Sequence, residues 1–206
     1  MLKRKLEIFL SEWKKEKGHK PLVIKGVRQC GKTFIAEEFA RKNYAHVVYV
    51  NFVQTPKAAM AFDNSLEVDD IIMQLSTVVR DAEFVPGQTC IIFDEIQDSD
   101  EVLNSLKYFN EDAPEYAVAC AGSLLGVAMR KKHTSFPVGM VDFFTLYPLS
   151  FTEFLHAVDE HLYNIASSWK RGESLPEIIH EQLQEKLKVY LVVGGMPEAV
   201  VDWIET

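Results

Sequence analysis

Apolar residues along this chain gather in short runs, which are separated by longer stretches of mixed character. The runs are rich in β-branched and aromatic residues, which favours strands buried in a sheet. The predicted strands are 22–24, 46–52, 90–93, 116–121 and 136–146, the last being the final core strand. The stretches between them carry helical patterns. Strands that alternate with helices predict an α/β fold, a three-layer domain with a parallel sheet.

Helical patterns occupy much of the remaining chain. Apolar residues from Leu2 to Trp13 recur at helical spacing, which predicts an amphipathic helix that ends at Gly18. The helices predicted in the first part of the chain are 2–17, 34–42 and 68–79, with a short helix or loop over 55–64.

Three further helices are predicted from capping boxes, in which a polar residue is followed three positions later by Glu. The predicted boxes are 98–101, 150–153 and 174–177. The helices that they open end near residues 112, 158 and 193. Gly194 and Gly195 then interrupt the pattern, and a helical pattern resumes after Pro197. We therefore expect a nucleotide-binding domain at 1–150 and a helical lid region at 151–206.

Composition limits the class of protein. With 206 residues, of which 48% are hydrophobic, the chain has enough apolar material for a full core. It contains no run of about 18 apolar residues, and charges interrupt the apolar positions near the N-terminus, so neither a membrane span nor a secretory signal is predicted. The sequence thus predicts a cytoplasmic protein without a membrane partner.

Charge is distributed unevenly along the chain. Residues 1–50 carry 12 basic and 5 acidic residues, and residues 51–206 carry 10 and 25, so the formal charges are +7 and −15 and the net charge is −8. A basic N-terminal face suits a polyanion, but two of its cations, Arg28 and Lys32, belong to the site described next. The net charge does not support nucleic acid as a partner, and a solvated helix face explains the asymmetry.

The segment GVRQCGKT at 26–33 fits the phosphate-binding pattern G-x-x-x-x-G-K-S/T. Gly26 and Gly31 allow successive backbone N–H groups to turn around a phosphate, and the N-terminus of the next helix adds partial positive charge. Lys32 is predicted to reach the β and γ phosphates, and the Thr33 hydroxyl to ligate Mg²⁺. The predicted nucleotide-binding residues are Gly26, Val27, Arg28, Gln29, Cys30, Gly31, Lys32, Thr33 and Phe34.

The three cysteines are too far apart for a zinc site or a disulfide framework. Cys30 lies inside the phosphate loop near a helix N-terminus, where a thiolate is favoured. Two interpretations follow for Cys30, a reactive thiol and an inert small filler.

The segment TCIIFDE at 89–95 is the second chemical motif. Four apolar residues predict a buried strand, and Asp94 and Glu95 follow at its carboxyl end, which is the Walker B arrangement. Asp94 is predicted to hold Mg²⁺, usually through water, and Glu95 to orient and polarise the attacking water.

Two further polar residues are candidates for the same site. Ser123 follows the strand 116–121, so it is predicted to bond the γ-phosphate or the attacking water, or alternatively to cap the next helix. Arg130 is the local candidate for an activating arginine, a group that a neighbouring molecule often supplies. A solvated basic cluster with Lys131 and Lys132 is the alternative interpretation of Arg130.

With these motifs in order, the chain resembles the AAA+ ATPases, and within them a prokaryotic group related to the STAND switch ATPases. The resemblance rests on GVRQCGKT, IIFDEIQ, AGSLLG, PLSFTEF and GGMPEAV, and it extends over nearly the whole chain. It implies that Ser123 is the polar sensor and that Pro197, in a lid motif, packs on adenine. No arginine follows Arg171, so the lid arginine of many such proteins is not present here. The resemblance also implies a further C-terminal domain, so we expect the lid region to be truncated.

These observations predict an ATP-binding protein that hydrolyses ATP with Mg²⁺, weakly in isolation, to drive a conformational or assembly switch. An oligomer or a protein partner is expected with that role. A binding module that holds ATP without turnover is the first alternative. A phosphotransferase is the second, and the adjacent Asp94 and Glu95 disfavour it.

Overall fold

The computed structural model of the chain describes residues 2–16, 18–122, 139–170, 172 and 174–206. These residues form two compact units, Leu10–Leu146 and Met1–Phe9 with Tyr147–Thr206, which we describe separately. Helix α1 (Leu6–Lys15) contributes residues to both.

The unit Leu10–Leu146 is built on a five-stranded parallel sheet. The strands are β1 (Leu22–Gly26), β2 (His46–Asn51), β3 (Thr89–Asp94), β4 (Ala117–Gly122) and β5 (Asp142–Leu146). Their spatial order is β2-β3-β4-β1-β5, so β4 lies between the strand before the phosphate loop and the strand that ends at Asp94. Every residue of β3 and β4 is buried, as their apolar composition predicts.

Helices cover both faces of the sheet, which confirms the predicted three-layer α/β fold. The helices of this unit are α2 (Lys32–Asn43), α3 (Val68–Val78) and α4 (Asp100–Asp112), with 3-10 turns at Pro56–Phe62 and Ile96–Asp98. One face of the core holds a cluster of phenylalanines: the ring of Phe93 on β3 lies 5.7–5.8 Å from the rings of Phe52, Phe62 and Phe109. Tilted and edge-on contacts of this kind add about 0.5–1.5 kcal/mol per pair beyond area burial, and they fix β3 against α4.

Two predictions for this unit differ from the structure. The last strand begins at Asp142 and lies at the edge of the sheet beside β1, where its residues alternate in exposure, so it is not a core strand. The cap of α4 is Ser99, not the residue before it, because the Ser99 hydroxyl accepts the hydrogen bond from the Val102 N–H at 3.3 Å.

The unit Met1–Phe9 with Tyr147–Thr206 is helical. Its helices are α5 (Phe151–Val158), α6 (Glu160–Ser168), α7 (Glu177–Val193) and α8 (Pro197–Glu205). The capping box of α5 is confirmed: the Ser150 N–H donates to Glu153 at 2.8 Å, and the Ser150 hydroxyl accepts from the Glu153 N–H at 3.4 Å. The box predicted at 174–177 is wrong, because Pro176 precedes α7 and no side chain caps it. Helix α6 was not predicted.

The break between α7 and α8 depends on its glycines. Gly194 ends α7 with a φ of 78°, a conformation that favours glycine. Gly195 lies so close to Leu149 that a Cβ atom would approach the Leu149 carbonyl oxygen to 2.2 Å. Pro197 then takes the first position of α8, where its fixed φ suits a helix start.

Membrane-spanning segments were sought among the helices of the described residues. None combines the length and the apolar character needed to cross a bilayer.

Candidate functional site

The phosphate loop joins the end of β1 at Gly26 to the start of α2 at Lys32. Gln29 and Gly31 have positive φ angles, 62° and 91°, so the chain turns sharply between the two elements. A Cβ atom at Gly26 would lie 2.3 Å from the backbone carbonyl oxygen of Leu146. Glycine is therefore required at position 26 by the close approach of the end of β5.

Lys32 lies against the loop itself. Its Nζ donates hydrogen bonds to the carbonyl oxygens of Gly26 at 3.2 Å and Val27 at 2.7 Å, and the residue is only 7% exposed. An ammonium group has three donors, so one stays available for a ligand oxygen while the other two hold the charge at the loop. This position suits the predicted role of Lys32 as the cation of the phosphate site.

Cys30 is fully buried, and its Sγ donates to the Leu146 carbonyl oxygen at 3.5 Å. A buried thiol inside a packed loop has no access to a soluble reagent or substrate. The structure favours the inert filler over the reactive thiol.

Asp94 ends β3, and its side chain gathers hydrogen bonds from three elements. Its Oδ2 accepts from the Thr33 hydroxyl at 3.0 Å, the Tyr49 hydroxyl at 2.8 Å and the Asn51 amide at 3.3 Å. Its Oδ1 accepts from the Glu95 N–H at 2.9 Å. The two predicted Mg²⁺ ligands, Thr33 and Asp94, are thus brought together from positions 61 residues apart.

Tyr49 and Asn51 were not predicted as site residues. They are two positions apart on β2, so both side chains lie on one face of the sheet, and Asn51 is in register with Asp94. Burial, followed by the hydrogen bond to Asp94, raises the pKa of Tyr49 to about 12, although the Asn51 contact opposes the shift. The phenol is therefore a neutral donor at ordinary pH. Polar tips at alternate positions of a predicted strand were the signal available in the sequence.

Glu95 has a left-handed backbone conformation, with φ 57° and ψ 39°. Its Oε2 accepts a 2.5 Å hydrogen bond from Nε2 of Gln97 in the following 3-10 turn. Among the described residues, nothing donates to its Oε1. One carboxylate oxygen is consequently held by the protein, and the other is available to a ligand or water.

A cleft of about 560 Å³ joins these groups. Its lining residues are Arg28, Gln29, Gly31, Lys32, Thr33, Phe34, Asp94 and Glu95, all of which were predicted as site residues. Gly26, Val27 and Cys30 of the predicted set do not line it. Val27 is 53% exposed, so it contributes to the outer surface of the loop.

Three predicted residues are not brought into this cleft by the structure. Ser123 and Arg130 lie outside the described residues. Pro197 begins α8 in the other compact unit, and its predicted contact with adenine stays a prediction.

The residues present suit a magnesium nucleotide. A hydroxyl oxygen and a carboxylate oxygen 3.0 Å apart are hard ligands of the type that Mg²⁺ prefers. In the part of the chain that the structure describes, no group of three or more His, Cys, Asp or Glu residues is placed to hold a metal. One or two protein ligands with phosphate oxygens and waters are the usual Mg²⁺ shell in nucleotide sites, and Thr33 and Asp94 provide such a pair.

Two solved structures are similar to this chain. The Walker-type ATPase PABY2304 of Pyrococcus abyssi matches with 15% identity and a TM-score of 0.59, over 100% of this chain and 67% of that chain. PCH-2 of C. elegans matches with 11% identity and a TM-score of 0.51, over 96% of this chain and 59% of that chain. This chain thus spans about two thirds of the length of the first protein and less of the second. Both likenesses support the P-loop fold. A search of curated proteins found no match.

A protein-family profile gives the family. The profile described as AAA domain matches residues 18–155, which include the phosphate loop and the pair Asp94 and Glu95. The match covers more than half of the 206 residues and supports nucleotide binding at the cleft. The chain therefore belongs to the AAA domain family.

Proposed function

We propose that this AAA domain binds ATP with Mg²⁺ and hydrolyses it. The observation that carries the proposal is the 3.0 Å hydrogen bond between the Thr33 hydroxyl and Asp94, which joins the phosphate loop to the Walker B carboxylate in one cleft. Phosphoryl transfer needs positioned cations, a metal site and a group that orients water, and each has a candidate among the lining residues.

The phosphate half of the site consists of Lys32, the loop backbone and the N-terminus of α2. The first turn of α2 contains no acidic residue that would offset its partial positive charge. Arg28 also lines the cleft, and in the described part of the chain it has neither a hydrogen bond nor an ion pair. Its planar guanidinium suits two phosphate oxygens, so we assign Arg28 to the triphosphate as a second cation.

The metal half consists of Thr33 and Asp94. A hydroxyl has one hydrogen to donate and two lone pairs, so Thr33 can ligate a metal through its oxygen and still donate to Asp94. Bound Mg²⁺ would offset the negative charge that develops on the phosphate oxygens. The Asp94 carboxylate is 5% exposed, and that burial strengthens its attraction for a cation.

Glu95 is the proposed group that orients water. It lines the cleft, and the Gln97 contact on Oε2 leaves Oε1 as the acceptor for a proton from water. Catalysis in this proposal is positioning and electrostatics, without a covalent intermediate on the protein.

The finer parts of the proposal concern residues and properties beyond this cleft. We propose that hydrolysis drives a conformational or assembly switch with an oligomer or protein partner, and that Ser123, Arg130 and Pro197 act as sensor, activating arginine and adenine contact. Kinship with the STAND switch ATPases, a further C-terminal domain and a cytoplasmic location stay predictions.

A second candidate function is a binding module that holds ATP without turnover. The 2.5 Å hydrogen bond from Gln97 to Glu95 favours it, because a carboxylate that accepts a strong hydrogen bond is a weaker base.

Release of free phosphate from ATP, without an added acceptor, tests the proposed function. We expect Glu95→Gln to keep ATP affinity and to lower phosphate release by about 100-fold or more, because the amide keeps the shape but does not polarise water. Glu83→Gln, an exposed glutamate that does not line the cleft, is the matched control and should behave as wild type.

Three outcomes separate the alternatives. Equal phosphate release by Glu95→Gln and wild type would remove Glu95 from catalysis. Tight ATP binding without release by the wild type would favour the binding module. A requirement for a phosphate acceptor would favour a phosphotransferase.

A further inference from the structure

A directed chain of hydrogen bonds ends on the Asp94 carboxylate. It runs from the backbone after β2 through Asn51 and Tyr49 to Asp94, and all of these residues belong to the unit Leu10–Leu146. Because β2 lies beside β3 with Asn51 in register with Asp94, the sheet itself places the chain at the carboxyl end of β3.

The first link fixes the orientation of the Asn51 amide. Its Oδ1 accepts from the N–H groups of Val53 at 3.0 Å and Gln54 at 2.9 Å. Two donors on this atom identify it as the oxygen, so the other atom of the amide is the NH₂ group. That NH₂ group lies 3.2 Å from the Tyr49 hydroxyl and 3.3 Å from Asp94 Oδ2.

The second link fixes the proton of Tyr49. An NH₂ group only donates, so the Tyr49 oxygen accepts from Asn51 and directs its own hydrogen to Asp94 at 2.8 Å. This is the shortest of the side-chain contacts to Asp94. The backbone after β2 thereby determines the direction of every hydrogen bond in the chain.

The consequence falls on the carboxylate. Asp94 Oδ1 is held by the Glu95 N–H, and Oδ2 accepts from Thr33, Tyr49 and Asn51. A carboxylate has about four acceptor positions, so the protein donors fix its rotation before any metal is present. The ligands around a metal keep their orientation through such outer partners.

We propose that Tyr49 is a positioning residue of the metal site, which holds Asp94 in the orientation that accepts Mg²⁺ beside Thr33. The proposal rests on the proposed function, since it concerns the metal of the same site. It predicts that loss of the Tyr49 hydroxyl weakens metal binding and leaves metal-free nucleotide binding intact, because Tyr49 contacts Asp94 and does not line the cleft.

The test compares two tyrosine-to-phenylalanine changes in the full chain. Tyr49→Phe removes the hydroxyl that bonds Asp94 and keeps the ring. Tyr44→Phe is the matched control, because the Tyr44 hydroxyl is buried and has no hydrogen-bond partner among the described residues. Mn²⁺ serves as the metal probe, with its binding measured by electron paramagnetic resonance in the presence of a non-hydrolysable ATP analogue. Affinity for the same analogue is measured separately in EDTA.

We expect Tyr49→Phe to lower Mn²⁺ affinity by about tenfold, the lower end of the usual effect of an outer partner. Analogue affinity in EDTA should match wild type, and Tyr44→Phe should match wild type in both measurements. Wild-type Mn²⁺ affinity in a folded Tyr49→Phe protein would overturn the inference alone. Equal losses with and without metal would also overturn it, since they indicate a general packing role. Absence of Mn²⁺ binding in the wild type would overturn the proposed function as well.

A double-mutant cycle with Asp94→Asn gives an independent measurement. If Tyr49 acts through Asp94, then Tyr49→Phe should have no further effect on Mn²⁺ affinity once Asp94 is Asn. Additive losses would overturn the inference. Thermal unfolding of each variant verifies that the comparison is made between folded proteins.

Discussion

The two halves of the nucleotide cleft are built from contacts of very different sequence range. In the phosphate half, Lys32 bonds to carbonyl oxygens five and six residues away. In the metal half, Asp94 receives hydrogen bonds from Thr33, Tyr49 and Asn51, which are 43 to 61 residues away. The phosphate half therefore depends mainly on the local chain, whereas the metal half depends on how α2, β2 and β3 pack. Substitutions in the two halves should have separable effects.

The largest separation is expected for Lys32→Ala. Removing the principal cation of the loop should weaken triphosphate binding roughly 10- to 100-fold, the range for a lost hydrogen bond to a charged group. The loss should appear both in EDTA and with Mg²⁺, unlike the metal-dependent loss expected for Tyr49→Phe. Titration with a fluorescent ATP analogue measures it.

Lys42→Ala is the control for Lys32→Ala, because Lys42 is an exposed lysine in the last turn of α2. Its triphosphate affinity should equal that of wild type. Wild-type affinity in a folded Lys32→Ala protein would remove Lys32 from its assigned role.

A second prediction concerns a place where the phosphate half also depends on a distant contact. In Gly26→Ala, the new Cβ atom would lie 2.3 Å from the Leu146 carbonyl oxygen, and backbone at that distance must shift. We expect a loss of about 1–3 kcal/mol in the free energy of unfolding, the usual range for overpacking, together with weaker ATP binding. Chemical denaturation measures the first effect.

Gly87→Ala separates this steric effect from the conformational cost of replacing glycine. Gly87 has a φ of 74°, but a Cβ atom there would meet nothing within 4 Å. Gly26→Ala should be the more destabilising change and the one of the two that alters nucleotide affinity. A smaller loss at Gly26 would contradict the steric account.

The smallest effect is expected at Pro197, which belongs to neither half of the cleft. If its ring packs on adenine, then Pro197→Ala should weaken ATP binding by about fivefold, the effect of about 1 kcal/mol of apolar contact. Tripolyphosphate, which lacks the base, should bind the variant and wild type equally. Equal losses for both ligands, or no loss, would rule out the adenine contact and leave Pro197 as a helix start alone.

The sequence was sufficient for the architecture and for the local half of the site. Strands β3 and β4 are buried throughout, so their apolar runs were unambiguous, and the loop residues are specified by a motif of eight consecutive positions. Helix α5 was predicted to its last residue, because Ser150 and Glu153 form a complete capping box.

The remainder depends on which elements become neighbours. Nothing in the sequence states that β2 lies beside β3, so Tyr49 and Asn51 could not be assigned to Asp94. The edge position of β5 follows from the same sheet order. Helix α6 was missed because it is short and has one fully buried residue, Leu162, so its apolar pattern is weak.

The burial of all three cysteines makes the chain a reporter of its own opening. Cys90 and Cys120 lie inside the sheet, where burial raises the pKa of both thiols, that of Cys90 to about 12. Cys30 lies in the phosphate loop instead. A thiol reagent therefore modifies Cys30 when the loop opens locally, and modifies the other two when the sheet itself comes apart. The ratio of singly to triply labelled protein measures how often the loop opens without unfolding, and bound nucleotide should slow the first reaction alone.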